Sequence, residues 1–120
     1  MILVVDDEPG MRHMLQRTLT AAGYDVMTVE DGEAALAVLD RGVRPDAILT
    51  DFLMPHLDGN DFIARLTAMT DAPVLILSGY VDAIKEETRG LVRGILNKPM
   101  PTERLLEEIR RYAVPDREKT

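Results

Sequence analysis

Short apolar runs alternate along the chain with longer segments in which apolar residues return every three or four positions. Four of the runs are continuous and lie at residues 2–5, 47–49, 74–77 and 94–96. A continuous run is typical of a strand buried on both faces, as in a parallel sheet covered by helices. A fifth, weaker strand is predicted at residues 24–28. The pattern therefore predicts five short strands.

The segments between the strands have the periodicity of amphipathic helices. Their predicted starts carry residues that favour a helix boundary: Pro9 in the first turn, Asp31 and Asp58 as N-caps, and Pro101 before the last helix. Residues 82–92 have a weaker pattern, because a glycine interrupts them, and we predict a mobile helix there.

Strands that alternate with helices predict one α/β domain, with a doubly wound parallel sheet and helices on both faces. The chain has 120 residues, about what one such domain needs. We expect the domain to span residues 1–113 and residues 114–120 to form a polar tail or linker stub. Three methionines lie at core spacing and are predicted to pack inside: Met11, Met14 and Met69.

Composition narrows the class of partner and the compartment. The 21 acidic residues outnumber 14 basic ones, and a net charge of −7 repels phosphate backbones, so we expect no direct contact with nucleic acid. Cysteine is absent, which excludes disulfides and thiolate metal sites and fits a cytoplasmic protein. The first apolar run follows Met1 directly and is too short for a signal peptide or membrane span, so we expect no membrane association.

Residues that can ionise or donate a hydrogen bond follow four of the predicted strands. Asp6 and Asp7 follow the first strand, Asp51 the third, Ser78 the fourth and Lys98 the fifth. Ligands of open α/β sheets bind at these strand ends, where the strand order reverses. If the order is 2-1-3-4-5, the first and third strands are neighbours, and the three aspartates lie together.

This set of residues predicts phosphoryl-transfer chemistry. Three neighbouring carboxylates need a counter-charge, because like charges raise one another's pKa. An all-oxygen cluster suits a hard cation, Mg²⁺ or Mn²⁺, which keeps open positions for phosphate oxygens. Lys98 and Ser78 would hold other phosphoryl oxygens. Asp51 would then be a carboxylate nucleophile that forms an aspartyl phosphate.

Four segments, in this order and spacing, resemble the receiver domain of two-component response regulators. They are VVDDE at residues 4–8, DFLMPHLDG at residues 51–59, Ser78-Gly79 and Lys98-Pro99. The resemblance covers nearly the whole chain and implies a flavodoxin-like fold. It implies a phosphoprotein in a phosphorelay, which is not an enzyme beyond its own phosphorylation and self-dephosphorylation.

Carried over residue by residue, the resemblance implies that Asp51 accepts its phosphoryl group from a histidine kinase or a histidine phosphotransfer protein. Asp7 and Asp51 would bind Mg²⁺ directly, together with the backbone carbonyl of Leu53, and Asp6 would act through water. The family usually holds the Lys-Pro peptide cis. Two further residues would contact phosphoryl oxygens: Lys98 and Ser78.

Two positions depart from the family pattern, and two others would affect how long the phosphoryl group persists. Ile95 stands three residues before the lysine, where many receivers carry an aromatic residue, and Met100 replaces the usual Phe. The chain therefore has no aromatic residue at the usual switch position. The output surface is expected on the fourth helix, fifth strand and fifth helix. Leu53 and Tyr80 would flank the phosphoryl group without a carboxylate or amide to orient water, which predicts slow self-hydrolysis.

Two other function classes stay open at this point. A small aspartate-nucleophile phosphohydrolase would carry a second acid two residues after its nucleophile, where this chain has Leu53. A receiver-like binding module that is not phosphorylated has usually lost one of the site residues, and none is lost here. No DNA-binding segment follows Ala113. We therefore expect a free-standing receiver or a part of a longer protein, and residues 78–80 and 95–99 look most like the hybrid-kinase type.

Overall fold

The computed structural model describes residues 1–54 and 56–118. Five strands are present in these residues: β1 (Ile2–Val5), β2 (Val26–Val29), β3 (Ala47–Thr50), β4 (Val74–Ser78) and β5 (Gly94–Asn97). They alternate with α1 (Pro9–Ala21), α2 (Gly32–Asp40), α3 (Gly59–Met69), α4 (Glu86–Arg89) and α5 (Thr102–Arg110). Two 3-10 helices lie at Val81–Ala83 and Asp116–Glu118. Among the described residues, no helix is both long and apolar enough to cross a membrane.

The strands form one parallel sheet in the order β2-β1-β3-β4-β5, as predicted. Val5 at the end of β1 pairs with Val29 of β2 on one side and with Thr50 of β3 on the other. The chain therefore leaves β1 and β3 at the same edge of the sheet. The order reverses between these two strands, which is where a ligand site is expected.

Helices cover both faces of the sheet, and each face has its own apolar core. Phe62, Ile63 and Leu66 of α3 pack with α2 on one face, whereas Leu15 and Leu19 of α1 pack with α5 on the other. The central strands β1, β3 and β4 are buried throughout. The prediction that residues 94–96 are also buried on both faces is wrong, because β5 is an edge strand and is partly exposed.

The predicted helix at residues 82–92 is reduced to a 3-10 turn and the single turn of α4. Only Ile84 and Thr88 are buried within those residues, while Leu91 is 44% exposed. An apolar side of that size is too small to support a long helix against the sheet, because helical stability in proteins comes mainly from packing an apolar face.

Core packing was predicted for three methionines, and the structure supports it for one. Met11 is partly buried against the core beneath α1. Met14 and Met69 are 43% and 38% exposed, so the prediction is wrong for both. Each lies at the margin of its helix's buried stripe, where helical spacing alone does not decide between core and surface.

Residues 114–118, the described part of the predicted polar tail, contact the rest of the domain through Asp116 and Arg117. The Asp116 carboxylate accepts a hydrogen bond from the Asp25 amide at 2.8 Å and pairs with the Met1 ammonium at 2.9 Å. The Arg117 guanidinium donates to a carbonyl at the end of α1 at 3.0 Å. Residues 119–120 lie outside the described residues, and the domain boundary itself stays a prediction.

Ending the chain after Ala113 is expected to lower the free energy of unfolding by about 1–3 kcal/mol, because several charged and backbone hydrogen bonds are lost. Urea unfolding followed by circular dichroism measures the difference. Glu107→Gln, at an exposed position of α5, serves as the control and should unfold like the full chain. Equal midpoints for the control and the chain ending at Ala113 would contradict the expectation.

Candidate functional site

Three aspartates meet at the strand ends where the sheet order reverses. Asp6 and Asp7 follow β1, and Asp51 follows β3. One carboxylate oxygen from each lies within 4.8 Å of the others. The structure therefore brings together the carboxylates that the strand order was expected to collect.

The loop after β1 is fixed by hydrogen bonds on both sides of Asp6. Asp6 is 2% exposed, and its Oδ1 accepts from the Glu8 backbone amide at 2.9 Å. The Asp6 carbonyl accepts from the Arg12 guanidinium at 2.7 Å. Asp7 is exposed beside this buried neighbour. Sequence reasoning missed Arg12; its only signal was a basic residue in the first turns of the helix after the acidic pair.

Asp51 presents its two carboxylate oxygens to different groups. Oδ1 accepts from the amides of Phe52 at 2.7 Å and Leu53 at 3.4 Å. Oδ2 lies 3.5 Å from the Lys98 ammonium. Burial raises the pKa of Asp51 above its ordinary value, and the Asp6 carboxylate adds to the rise, whereas Lys98 and the two amides act against it. Oδ1 is thus anchored to the backbone, and Oδ2 faces the cation.

Lys98 is the cation of the cluster. Its Nζ lies 3.4 Å from Asp6 Oδ2 and 3.5 Å from Asp51 Oδ2. Its stem borders an apolar cavity of about 390 Å³ that is also lined by Met11 and Leu77. The Lys98-Pro99 peptide is cis, as the resemblance implied. One ammonium cannot neutralise three carboxylates, so the site retains negative charge that a divalent cation would offset.

Ser78 and the residues that flank the cluster are placed by β4 and by the loop after β3. Ser78 is fully buried, and its Oγ accepts from the Tyr80 amide at 3.1 Å. Its carbonyl accepts from the Lys98 amide at 3.0 Å, which joins the two predicted phosphate-binding residues through the backbone. Leu53 and Tyr80 are exposed. The metal role of the Leu53 carbonyl stays a prediction.

The loop that carries Asp51 ends at a capped helix. Asp58 accepts from the Asn60 and Asp61 amides, which confirms its predicted role as the N-cap of α3. A Cβ on Gly59 would lie 2.4 Å from the Phe52 carbonyl, so only glycine permits this close turn. Pro55 of the matched segment lies outside the described residues.

Known proteins resemble this chain over nearly its whole length. A family described as the response regulator receiver domain matches residues 2–110. The response regulator MprA of Mycolicibacterium vanbaalenii is 38% identical over 122 residues, which cover 96% of this chain and 52% of the relative. MprA of Mycobacterium leprae is 40% identical over 113 residues, with 91% and 49% covered. The chain spans about half the length of the curated relatives it matches.

Solved structures with the same fold include receiver domains of known response regulators. The response regulator TrrA of Thermotoga maritima, in complex with Mg²⁺-BeF, superposes with a TM-score of 0.84 at 28% identity, covering 93% of this chain and 97% of that one. The receiver domain of the hybrid histidine kinase CckA gives 0.75 at 31% identity, covering 92% and 96%. Fold, strand-end residues and similarity together show that the chain belongs to the response regulator receiver domain family of two-component signal transduction.

Proposed function

We propose that this domain accepts a phosphoryl group on Asp51 in a Mg²⁺-dependent reaction and thereby switches a protein-interaction surface. The observation that carries the proposal is the cluster at the sheet reversal. There Asp6, Asp7 and Asp51 lie within 4.8 Å of one another, and the Lys98 ammonium lies within 3.5 Å of two of them. A nucleophilic carboxylate, a cation and a hard-metal donor set are the parts that phosphoryl transfer needs.

The donor set fits Mg²⁺, with Mn²⁺ as a close substitute, because it consists of oxygen atoms only and keeps uncompensated negative charge. Asp7 and Asp51 would bind the ion directly, Asp6 would act through water, and the Leu53 carbonyl would complete the protein ligands. When bound, the ion would offset negative charge on the carboxylates and on the phosphoryl oxygens.

The phosphoryl donor in this proposal is the phosphohistidine of a histidine kinase or histidine phosphotransfer protein in the cytoplasm. An Asp51 oxygen forms the new bond to phosphorus, the P–N bond breaks, and the electron pair returns to the imidazole, which takes up a proton. No general base is required, because the nucleophile is a carboxylate. Lys98 would hold one phosphoryl oxygen and the Ser78 hydroxyl another.

The output surface in this proposal comprises α4, β5 and α5. Its support is that β5 is an exposed edge of the sheet and that Leu91, between α4 and β5, is 44% exposed. A net charge of −7 favours a protein partner over direct contact with nucleic acid. Family membership favours this signalling role over the phosphohydrolase considered from the sequence.

The test uses acetyl phosphate as a small phosphoryl donor. The wild-type chain is incubated with it in Mg²⁺ and in EDTA, and intact mass spectrometry counts the phosphoryl groups. Borohydride reduction then converts a phosphoaspartate to homoserine, which peptide sequencing locates. We expect one group per chain, at Asp51, only with Mg²⁺. Absence of incorporation, or homoserine at another aspartate, would overturn the proposal.

The phosphorylated domain is expected to lose its phosphoryl group slowly. Leu53 and Tyr80 are exposed beside the cluster, 43% and 64% respectively, and neither side chain can orient an attacking water through a carboxylate or amide. Leu53→Glu should shorten the lifetime about tenfold or more, because it supplies such a group. Loss of labelled phosphate in Mg²⁺ measures the rate, with Leu53→Met as the control. Wild-type decay within seconds would be inconsistent with this expectation.

A further inference from the structure

The segment at residues 81–89, which contains the first 3-10 helix and α4, has little helical stability of its own. Its α-helical part is only four residues long, and Lys85 at its N-cap makes no side-chain capping bond. A single turn is not stable by itself, because helix nucleation is unfavourable. The position of this segment therefore depends on contacts with the rest of the domain.

Asn60 of α3 binds this segment through three hydrogen bonds. Its Nδ2 donates to the Ala83 carbonyl at 3.4 Å. Its Oδ1 accepts from the Lys85 amide at 3.1 Å and from the Thr88 hydroxyl at 2.5 Å. The position of Asn60 is fixed by its backbone amide, which donates to the carboxylate of the N-cap Asp58 at 2.8 Å. One carboxamide thus joins α3 to three points of the segment.

Hydrogen bonds within the segment join its two ends. The Arg89 guanidinium donates to the Ile84 carbonyl at 3.1 Å and to the Val81 carbonyl at 2.6 Å, which ties the two ends of the segment together. Ile84 packs in the core, and Thr88 is 3% exposed. A buried hydroxyl without a partner is costly, so the Asn60 bond to Thr88 favours the position that the segment has here.

Asn60 also lies between the two loops that carry the site. The α3 helix begins directly after the loop that carries Asp51. The segment at residues 81–89 begins three residues after Ser78, at the end of the short loop that follows β4. Ser78 Oγ now accepts from the Tyr80 amide. A Ser78 side chain that turns toward a phosphoryl group would give up this bond and release the chain at Tyr80, which is the entry to the segment.

We propose that Asn60 is a positioning residue that holds residues 81–89 against α3 and so opposes the displacement of α4 that switching of the proposed output surface would require. This inference rests on the proposed phosphorylation. The three bonds would shift or break when the segment moves, and their strength would set how readily the output surface switches. Sequence reasoning did not identify Asn60, because its partners lie 23 to 28 residues away along the chain.

The test compares variants by hydrogen exchange and by binding of beryllofluoride in Mg²⁺, a stable mimic of the phosphoryl group. Asn60→Ala should speed amide exchange within residues 81–89 about tenfold and tighten beryllofluoride binding about threefold to tenfold. Thr88→Val removes one of the three bonds and should shift both readouts in the same direction, by less. Thr67→Val is the matched control, since Thr67 makes its hydroxyl bond within α3.

Faster amide exchange confined to residues 81–89, together with tighter beryllofluoride binding, would support the proposed role of Asn60. Unchanged exchange would overturn it, and so would faster exchange with unchanged or weaker binding, because Asn60 would then be structural only. If Asn60→Ala does not fold, Thr88→Val decides by the same two readouts. If the wild-type chain binds no beryllofluoride, the proposed function fails, and exchange alone decides whether Asn60 holds the segment.

Discussion

Asp51→Asn is expected to abolish phosphoryl incorporation from acetyl phosphate and, in metal-free buffer, to raise the free energy of unfolding by about 1 kcal/mol. The first effect follows because an amide is not a nucleophile toward phosphorus. The second follows because Asp51 is partly buried beside two other carboxylates, so its charge is unfavourable there. An activity loss that accompanies a stability gain is the signature of a residue kept for function.

The effect of Mg²⁺ on stability should also differ between the wild-type chain and Asp51→Asn. Mg²⁺ should raise the melting temperature of the wild-type chain more than that of Asp51→Asn, because one of three anionic donors is lost. Asp82→Asn removes the same charge from an exposed position and is the control. Differential scanning calorimetry in Mg²⁺ and in EDTA measures the melting temperatures of the wild-type chain and of both variants. If Mg²⁺ raises the melting temperature of Asp51→Asn as much as that of the wild-type chain, Asp51 is not a ligand of the ion.

The sheet and the carboxylate cluster could be predicted because they depend on local patterns. Four continuous apolar runs indicate parallel strands, and the carboxyl ends of parallel strands meet at one edge of the sheet. Asp6, Asp7 and Asp51 could therefore be grouped from their positions in the sequence alone. The N-caps Asp31 and Asp58 were predicted for a similar reason, since each accepts from backbone amides in the first turn of its own helix.

Features that depend on the tertiary fold could not be predicted in the same way. The Arg12 bond to the Asp6 carbonyl and the Asp116 contacts with Met1 and Asp25 join positions whose proximity only the fold creates. The exposure of Met14 is of this kind too, because helical spacing does not say how wide the buried stripe of α1 is. Short-range pattern therefore located the residues of the candidate site, while the contacts that hold them needed the tertiary structure.

Lys98→Met is expected to lower the phosphorylation rate about 100-fold and yet to tighten Mg²⁺ binding about fivefold. The Lys98 ammonium lies 3.4 Å from Asp6 Oδ2 and 3.5 Å from Asp51 Oδ2, so it repels a cation bound by the same carboxylates. It would also hold a phosphoryl oxygen during transfer. Removing one charge therefore changes metal binding and phosphoryl transfer in opposite directions.

Methionine suits this substitution because its unbranched stem can still line the apolar cavity beside Met11 and Leu77. Lys85→Met removes an exposed lysine away from the cluster and controls for net charge. Isothermal titration gives the Mg²⁺ affinity, and mass spectrometry after timed exposure to acetyl phosphate gives the rate. Weaker Mg²⁺ binding in Lys98→Met would mean that the lysine organises the carboxylates instead of competing with the ion. An unchanged rate would remove Lys98 from the transfer step.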